Sequence, residues 1–303
     1  MLPDRPHDPR KAPGRGTRNV TRVLVLAALV PVGCVGWLGW QSVAHSSRTP
    51  TATAPASVAK LSPVATAVPS ARPSAAGRPL TGKVVVIDPG HNPDNVNHPS
   101  QINAPVWIGN GHTSCDTTGT STDAGYSEAD FTLDVARRVR TILQSEGATV
   151  VFTQDGNRPW GPCVTERAAI GNQAHADAAI SIHGDGAPAA DHGFHVILPA
   201  AVDTGGADTL SIVAPSHTLG VDVRSAFAAA TREPFADYIN GGTGLIVRSD
   251  LGGLNLSKVP KVFIECGNMR NSTDAGRMTT PAWRQLAARG IAAGLTAFLE
   301  AGH

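Results

Sequence analysis

From residue 81 onward, short apolar runs alternate with amphipathic stretches, and this alternation constrains the fold more than any other feature. Lys83–Asp88 carries four consecutive β-branched residues and reads as a buried strand. Ser127–Ser145 reads as a helix, because Phe131, Val135, Val139 and Ile142/Leu143 recur on one face. Ser127 with Asp130 three residues on resembles a capping box at its start. Thr149–Thr153 reads as the next strand, Thr165–Ala176 as a helix and Ala178–His183 as a third strand. Gly193–Leu198 reads as a strand at or near an edge, Ser216–Arg232 as a helix capped by Ser216, and Lys261–Glu265 as a strand. Pro281–Leu299 reads as a last helix, with Thr280 as cap and Pro281 at the first helical position. Strand–helix alternation of this kind builds an α/β fold: a single domain over 81–303 with a mostly parallel central sheet flanked by helices. Such sheets bind ligands outside the carboxyl ends of their strands.

The residues before 81 are of another kind. Residues 1–22 hold six Lys or Arg against two Asp and read as a basic cytoplasmic tail. Residues 23–44 carry no charge, and the stretch is long enough to span a hydrocarbon core. It reads as a transmembrane anchor, or as a signal peptide cut after Ser42-Val43-Ala44; either exports the rest of the chain to the periplasm or cell wall. Residues 45–80 are a linker: from 45 to 79, 25 of 35 residues are Ala, Pro, Ser or Thr, with no acid and no aromatic. Too little apolar surface is available there to offset the entropy of ordering the chain.

Four candidate ligands or bases fall where an α/β enzyme places its site. The first strand runs into Asp88-Pro89-Gly90-His91, the third ends at His183, the last central strand ends at Glu265, and the first long helix begins with Glu128. Glu265 is the most telling, since an acid closing a core strand is costly unless paired or metal-bound. Two imidazoles and one carboxylate make a catalytic zinc set with an open fourth position, and a second carboxylate is then free to act as a base. The chain has no H-E-x-x-H, no G-x-S-x-G and no P-loop, which disfavours thermolysin-like, serine-hydrolase and nucleotide chemistry. A net charge of +1 argues against nucleic acid as a partner.

Taken in order, Val85–His91, Gly125–Glu128, Glu166-Arg167-Ala168, Ser181–His183 and Val262–Asn268 leading to Asn271 resemble the zinc-dependent N-acetylmuramoyl-L-alanine amidases of the amidase-3 family, peptidoglycan hydrolases of bacteria. The resemblance covers about 81–300. It implies a Zn²⁺ ion held by His91, Glu128 and His183, with Glu265 as catalytic acid/base. It also implies a peptidoglycan or muropeptide substrate, cut between N-acetylmuramic acid and L-alanine. Another zinc-dependent cell-wall peptidase or carboxypeptidase is the alternative; a non-catalytic wall-binding module would be expected to lack one of these four residues. The chain departs from the family pattern at Asn92-Pro93-Asp94 and at Gly184-Asp185, which bears on substrate preference. Residues 233–257 are Gly-rich and too short for a long inhibitory helix.

Arg248 and Asn271 lie near the last strand in sequence and are substrate-binding candidates, Arg248 for a stem-peptide carboxylate. Of the four cysteines, Cys34 lies in the apolar run and Cys266 in a core strand. Cys115 and Cys163 remain, in polar loops of an exported domain, and are expected to form a disulfide, with two free surface thiols as the alternative. No heptads and no spare apolar face point to an oligomer, so a monomer is expected.

Overall fold

The structure, a computed structural model, describes residues 77–302. The basic tail, the apolar run and most of the linker lie outside the described residues. Among the described residues no helix is long and apolar enough to cross a membrane. The domain reaches slightly further back than expected: Leu80 is fully buried, and its N–H donates to the Glu146 carbonyl.

Six strands form the central sheet: β1 (Val84–Pro89), β2 (Thr149–Phe152), β3 (Ala178–Asp185), β4 (His195–Pro199), β5 (Leu245–Arg248) and β6 (Lys261–Asn268). Their order is β2–β1–β3–β6–β4–β5. The first four in that order run parallel; β4 is antiparallel to β6, and β5 is parallel to β4. The helices are α1 (Glu128–Ser145), α2 (Val164–Gln173), α3 (Leu210–Thr231), α4 (Ser272–Met278) and α5 (Pro281–Glu300). This is the mixed α/β domain expected, with two differences. Helix α3 starts at Leu210 rather than at Ser216. Pro215 reads as a helix breaker, but it lies inside α3, and the Ser216 hydroxyl is buried there and accepts from the Lys261 N–H instead of capping. Strand β5 also arises in the stretch read as a Gly-rich connection, which makes β4 the strand next to the edge.

Side chains alternate across a strand, so the sheet has two distinct faces. One is apolar: Val85, Ile87, Ile180, Ile182, Val262 and Ile264 share a core with α1, α3 and α5. Two glycines let α3 and α5 approach closely; a Cβ on Gly294 would lie 2.4 Å from the Val223 Cα. The other face is apolar only near the amino ends of the strands, around Val86 and Ala179. Toward the carboxyl ends it is filled by Asp88, Ser181, His183, Phe263 and Glu265, with the Lys261 side chain reaching Asp88 from the first residue of β6; each stands at a position that the pleat turns away from the main core.

The long 92–126 segment covers that polar end. It contains a two-stranded ribbon, Pro105–Trp107 with His112–Ser114. Cys115 is bonded to Cys163, the residue that caps α2, so the segment is tied covalently to the helix beneath it.

Candidate metal centre

His91 leaves β1 through Asp88-Pro89-Gly90 and adopts a left-handed backbone, with φ of 63°. That conformation is uncommon for a side chain with a Cβ, and here it turns the ring toward Glu128. Glu128 is the first residue of α1, directly after Ser127. The Ser127 hydroxyl accepts from the Asp130 N–H at 3.1 Å and donates to its carboxylate at 2.6 Å. His183 is carried by β3 beside Glu265 of β6, its register partner.

These side chains meet in one cleft. Glu128 Oε1 lies 3.2 Å from His91 Nε2 and 2.9 Å from His183 Nδ1. The three donor atoms all lie within 4.8 Å of one another. Backbone amides hold the carboxylate in place: Thr120 N–H donates to Oε2 at 2.9 Å and Gly184 N–H to Oε1 at 3.2 Å. Two glycines are required by this crowding. A Cβ on Gly90 would lie 2.3 Å from the His183 ring, and one on Gly119 would lie 2.6 Å from the His91 ring.

The electrostatics of the cluster follow from its burial and from the charges of its members. Burial alone would raise the Glu128 carboxyl, but His91 and His183 outweigh it and hold it well below the usual glutamate range. Burial opposes charge on His91, but Glu128 and Asp116 outweigh it and raise the ring to about 10. Glu265 is a different case: burial and then the carboxylates of Glu128 and Asp185 push it well above the usual value. Its Oε2 is buried without a hydrogen-bond partner and faces the cleft that His91, Glu128 and His183 line.

Behind the histidines is a buried ionic cluster that sequence reasoning missed. Asp88 takes Arg167 at 2.8 Å, Lys261 at 3.0 Å and the Thr153 hydroxyl at 2.6 Å. Arg167 also reaches Asp116 at 2.9 Å, and Asp116 lies 3.5 Å from His91 Nδ1. All four charged residues are at most 5% exposed. Burial would raise the two carboxyls; Lys261 and Arg167 for Asp88, and Arg167 and His91 for Asp116, keep both ionised. A partial signal was available: an acid and a lysine within apolar strand runs must find partners, although β1 and β6 are separated by β3.

Arg248 lines the same cleft, but its guanidinium is also held by Asp250 through contacts of 2.8 and 2.6 Å. Asn271 does not line the cleft. It caps α4, accepting from Thr273 and Asp274 N–H and donating to the Ala189 carbonyl. Asp185, a departure noted in the sequence, accepts from the Tyr238 hydroxyl at 2.7 Å and also lines the cleft.

A family model described as N-acetylmuramoyl-L-alanine amidase matches residues 85–297. The chain belongs to this amidase family. An N-acetylmuramoyl-L-alanine amidase of Mycobacterium tuberculosis is 37% identical over 225 residues, covering 73% of this chain and 88% of the relative. Crystal structures of the N-acetylmuramyl-L-alanine amidase Ami1 are similar as well. That from Mycobacterium smegmatis is 38% identical, with a TM-score of 0.67 over 73% of this chain and 99% of the other. The apo form from Mycobacterium abscessus is 40% identical, with a TM-score of 0.66 over 73% and 100%. The amidase thus carries its His–Glu–His cluster inside the matched segment, together with Glu265.

Proposed function

We propose that this amidase is a zinc hydrolase that cuts the amide between N-acetylmuramic acid and the L-alanine of the stem peptide in peptidoglycan, with Glu265 as general base and acid. The supporting observation is the donor set. Two imidazole nitrogens and one carboxylate oxygen converge, the outer imidazole nitrogens contact the Thr117 carbonyl and the Ser181 hydroxyl, and a second carboxylate, Glu265, with an unpartnered Oε2, lines the same cleft. Three protein ligands with an open position are what a catalytic zinc site needs.

Held by His91, Glu128 and His183, zinc supplies a Lewis acid that polarises the scissile carbonyl and acidifies a water molecule. Glu265 accepts a proton from the attacking water and returns it to the amine of the leaving L-alanine. Its lack of a protein partner leaves both lone pairs of Oε2 available for that water. Thr120 and Gly184 fix Glu128 by hydrogen bonds, so that the ligand does not compete as a base. Arg248, at the rim, places a guanidinium beside the cleft for an anionic group of the stem peptide. The composition of residues 1–80 supports an exported enzyme, tethered by residues 23–44 or released from them and acting as a monomer in cell-wall turnover or cell separation.

The test is product identification on muramyl peptides. The full-length protein is expected to release peptides with a new L-alanine amine, to stop on chelation and to resume on added zinc. A new amine on a D-amino or diamino acid would overturn the assignment of the bond, and unchanged turnover in chelator would overturn the metal.

A further inference from the structure

We propose that Ser181 is a positioning residue: tied to the buried Asp88 carboxylate, it fixes the tautomer and ring orientation of His183 and thereby sets the affinity of the metal centre. This rests on the zinc reading above. Ser181 is 1% exposed, and its Oγ lies 2.9 Å from Asp88 Oδ2 and 3.1 Å from His183 Nε2.

Donor and acceptor accounting fixes the direction of this chain. Asp88 is surrounded by donors: Arg167 and Thr153 on Oδ1, and Lys261 on Oδ2. It has no proton to give and can only accept. The single hydroxyl hydrogen of Ser181 therefore goes to Asp88. What remains on Oγ is a lone pair, so the contact to His183 requires the proton on Nε2. The lone pair of a neutral His183 is then on Nδ1, the nitrogen that faces Glu128. The opposite tautomer would set two lone pairs against each other at Ser181, whereas an Nδ1 lone pair facing the Glu128 carboxylate at 2.9 Å is the arrangement that a shared cation satisfies.

His91 obeys the same logic with the nitrogens exchanged. Its Nδ1 lies 3.1 Å from both the Thr117 carbonyl and the Thr117 hydroxyl; the carbonyl can only accept, so a neutral His91 that donates to it keeps its lone pair on Nε2. The two rings present opposite nitrogens because their anchors differ. Partners of this kind on the outer nitrogen orient metal-binding imidazoles and raise their basicity, and losing one typically weakens metal binding.

Ser181 can be separated from the general stability of the core. Without its hydroxyl, Asp88 loses one of four donors but keeps Arg167, Lys261 and Thr153, whereas His183 Nε2 loses its partner. A threonine would keep the hydroxyl, and Ser181 borders a cavity lined also by Val164 and Phe263.

The experiment measures zinc affinity of the full-length protein by chelator competition, with the visible spectrum of the cobalt-loaded form and the melting of the metal-free form alongside. Ser181→Ala is expected to weaken zinc binding about 10- to 100-fold, to shift the cobalt bands, and to leave metal-free melting close to wild type. Ser181→Thr is expected to recover most of the affinity and the wild-type spectrum. Equal zinc affinity and identical cobalt spectra in wild type and Ser181→Ala would overturn the positioning role alone. So would a Ser181→Thr variant that folds but binds zinc no better than Ser181→Ala. A wild-type protein that takes up no zinc would overturn the metal reading, and this role with it.

Discussion

Replacing Glu265 by Gln is expected to lower kcat on muramyl peptides by about 10²- to 10⁴-fold while leaving the zinc content unchanged. The side chain stands on β6 beside His183 but is not one of the three clustered donors. Its Oε2 is buried with no protein partner, an arrangement that a merely structural carboxylate would not tolerate without another acceptor or donor at hand. Gln preserves the shape and removes the proton-accepting oxygen, so the substrate should still bind and KM should change little. Purified Glu265→Gln protein assayed for new L-alanine amines, with its metal content measured in the same preparation, gives the answer. Turnover near the wild-type rate would show that another group moves the proton. Loss of zinc from the variant would make Glu265 a ligand and require a different base.

Arg167→Met is expected to destabilise the domain by about 3–5 kcal/mol, while Glu166→Ala changes stability by less than about 1 kcal/mol. These neighbours occupy the same helix turn and the same sequence motif, yet their surroundings differ. Arg167 is buried between Asp88 and Asp116 and also donates to the Pro89 and Pro162 carbonyls. Removing it takes the guanidinium from two buried carboxylates, leaving Asp88 with Lys261 and Asp116 without a basic partner other than His91. Glu166 pairs with Arg158 at 2.7 Å, but both side chains are at least a third exposed, so solvent screens the pair. Thermal or denaturant unfolding of the metal-free protein compares the two. Similar small losses for both would mean that the cluster is far better hydrated than its burial indicates.

Much of the centre can be read from the chain because each ligand closes or opens an element with a clear pattern. His183 and Glu265 interrupt apolar strands, and Glu128 follows a serine cap at the head of an amphipathic helix. The ionic cluster is harder to see. Asp88, Ser181 and Lys261 become neighbours only once β1, β3 and β6 are known to be adjacent, with Asp88 opposite Ser181. Asn271 followed by Ser-Thr-Asp carries an ordinary helix-cap signal, and capping is the role it has. Strand β5 has only four residues; Ile246 and Val247 favour a strand, but the short run beside Gly241, Gly242 and Gly244 is confirmed as one only by its pairing with β4.

X-ray absorption at the zinc edge of the full-length protein tests the shared cation most directly. The expected shell holds two imidazoles and oxygen donors at about 2.0–2.2 Å, with no sulfur at about 2.3 Å, and His91→Ala should lose one imidazole or the metal altogether. A thiolate in the shell, fewer than two imidazoles, or zinc retained unchanged by His91→Ala would contradict a centre built from His91, Glu128 and His183.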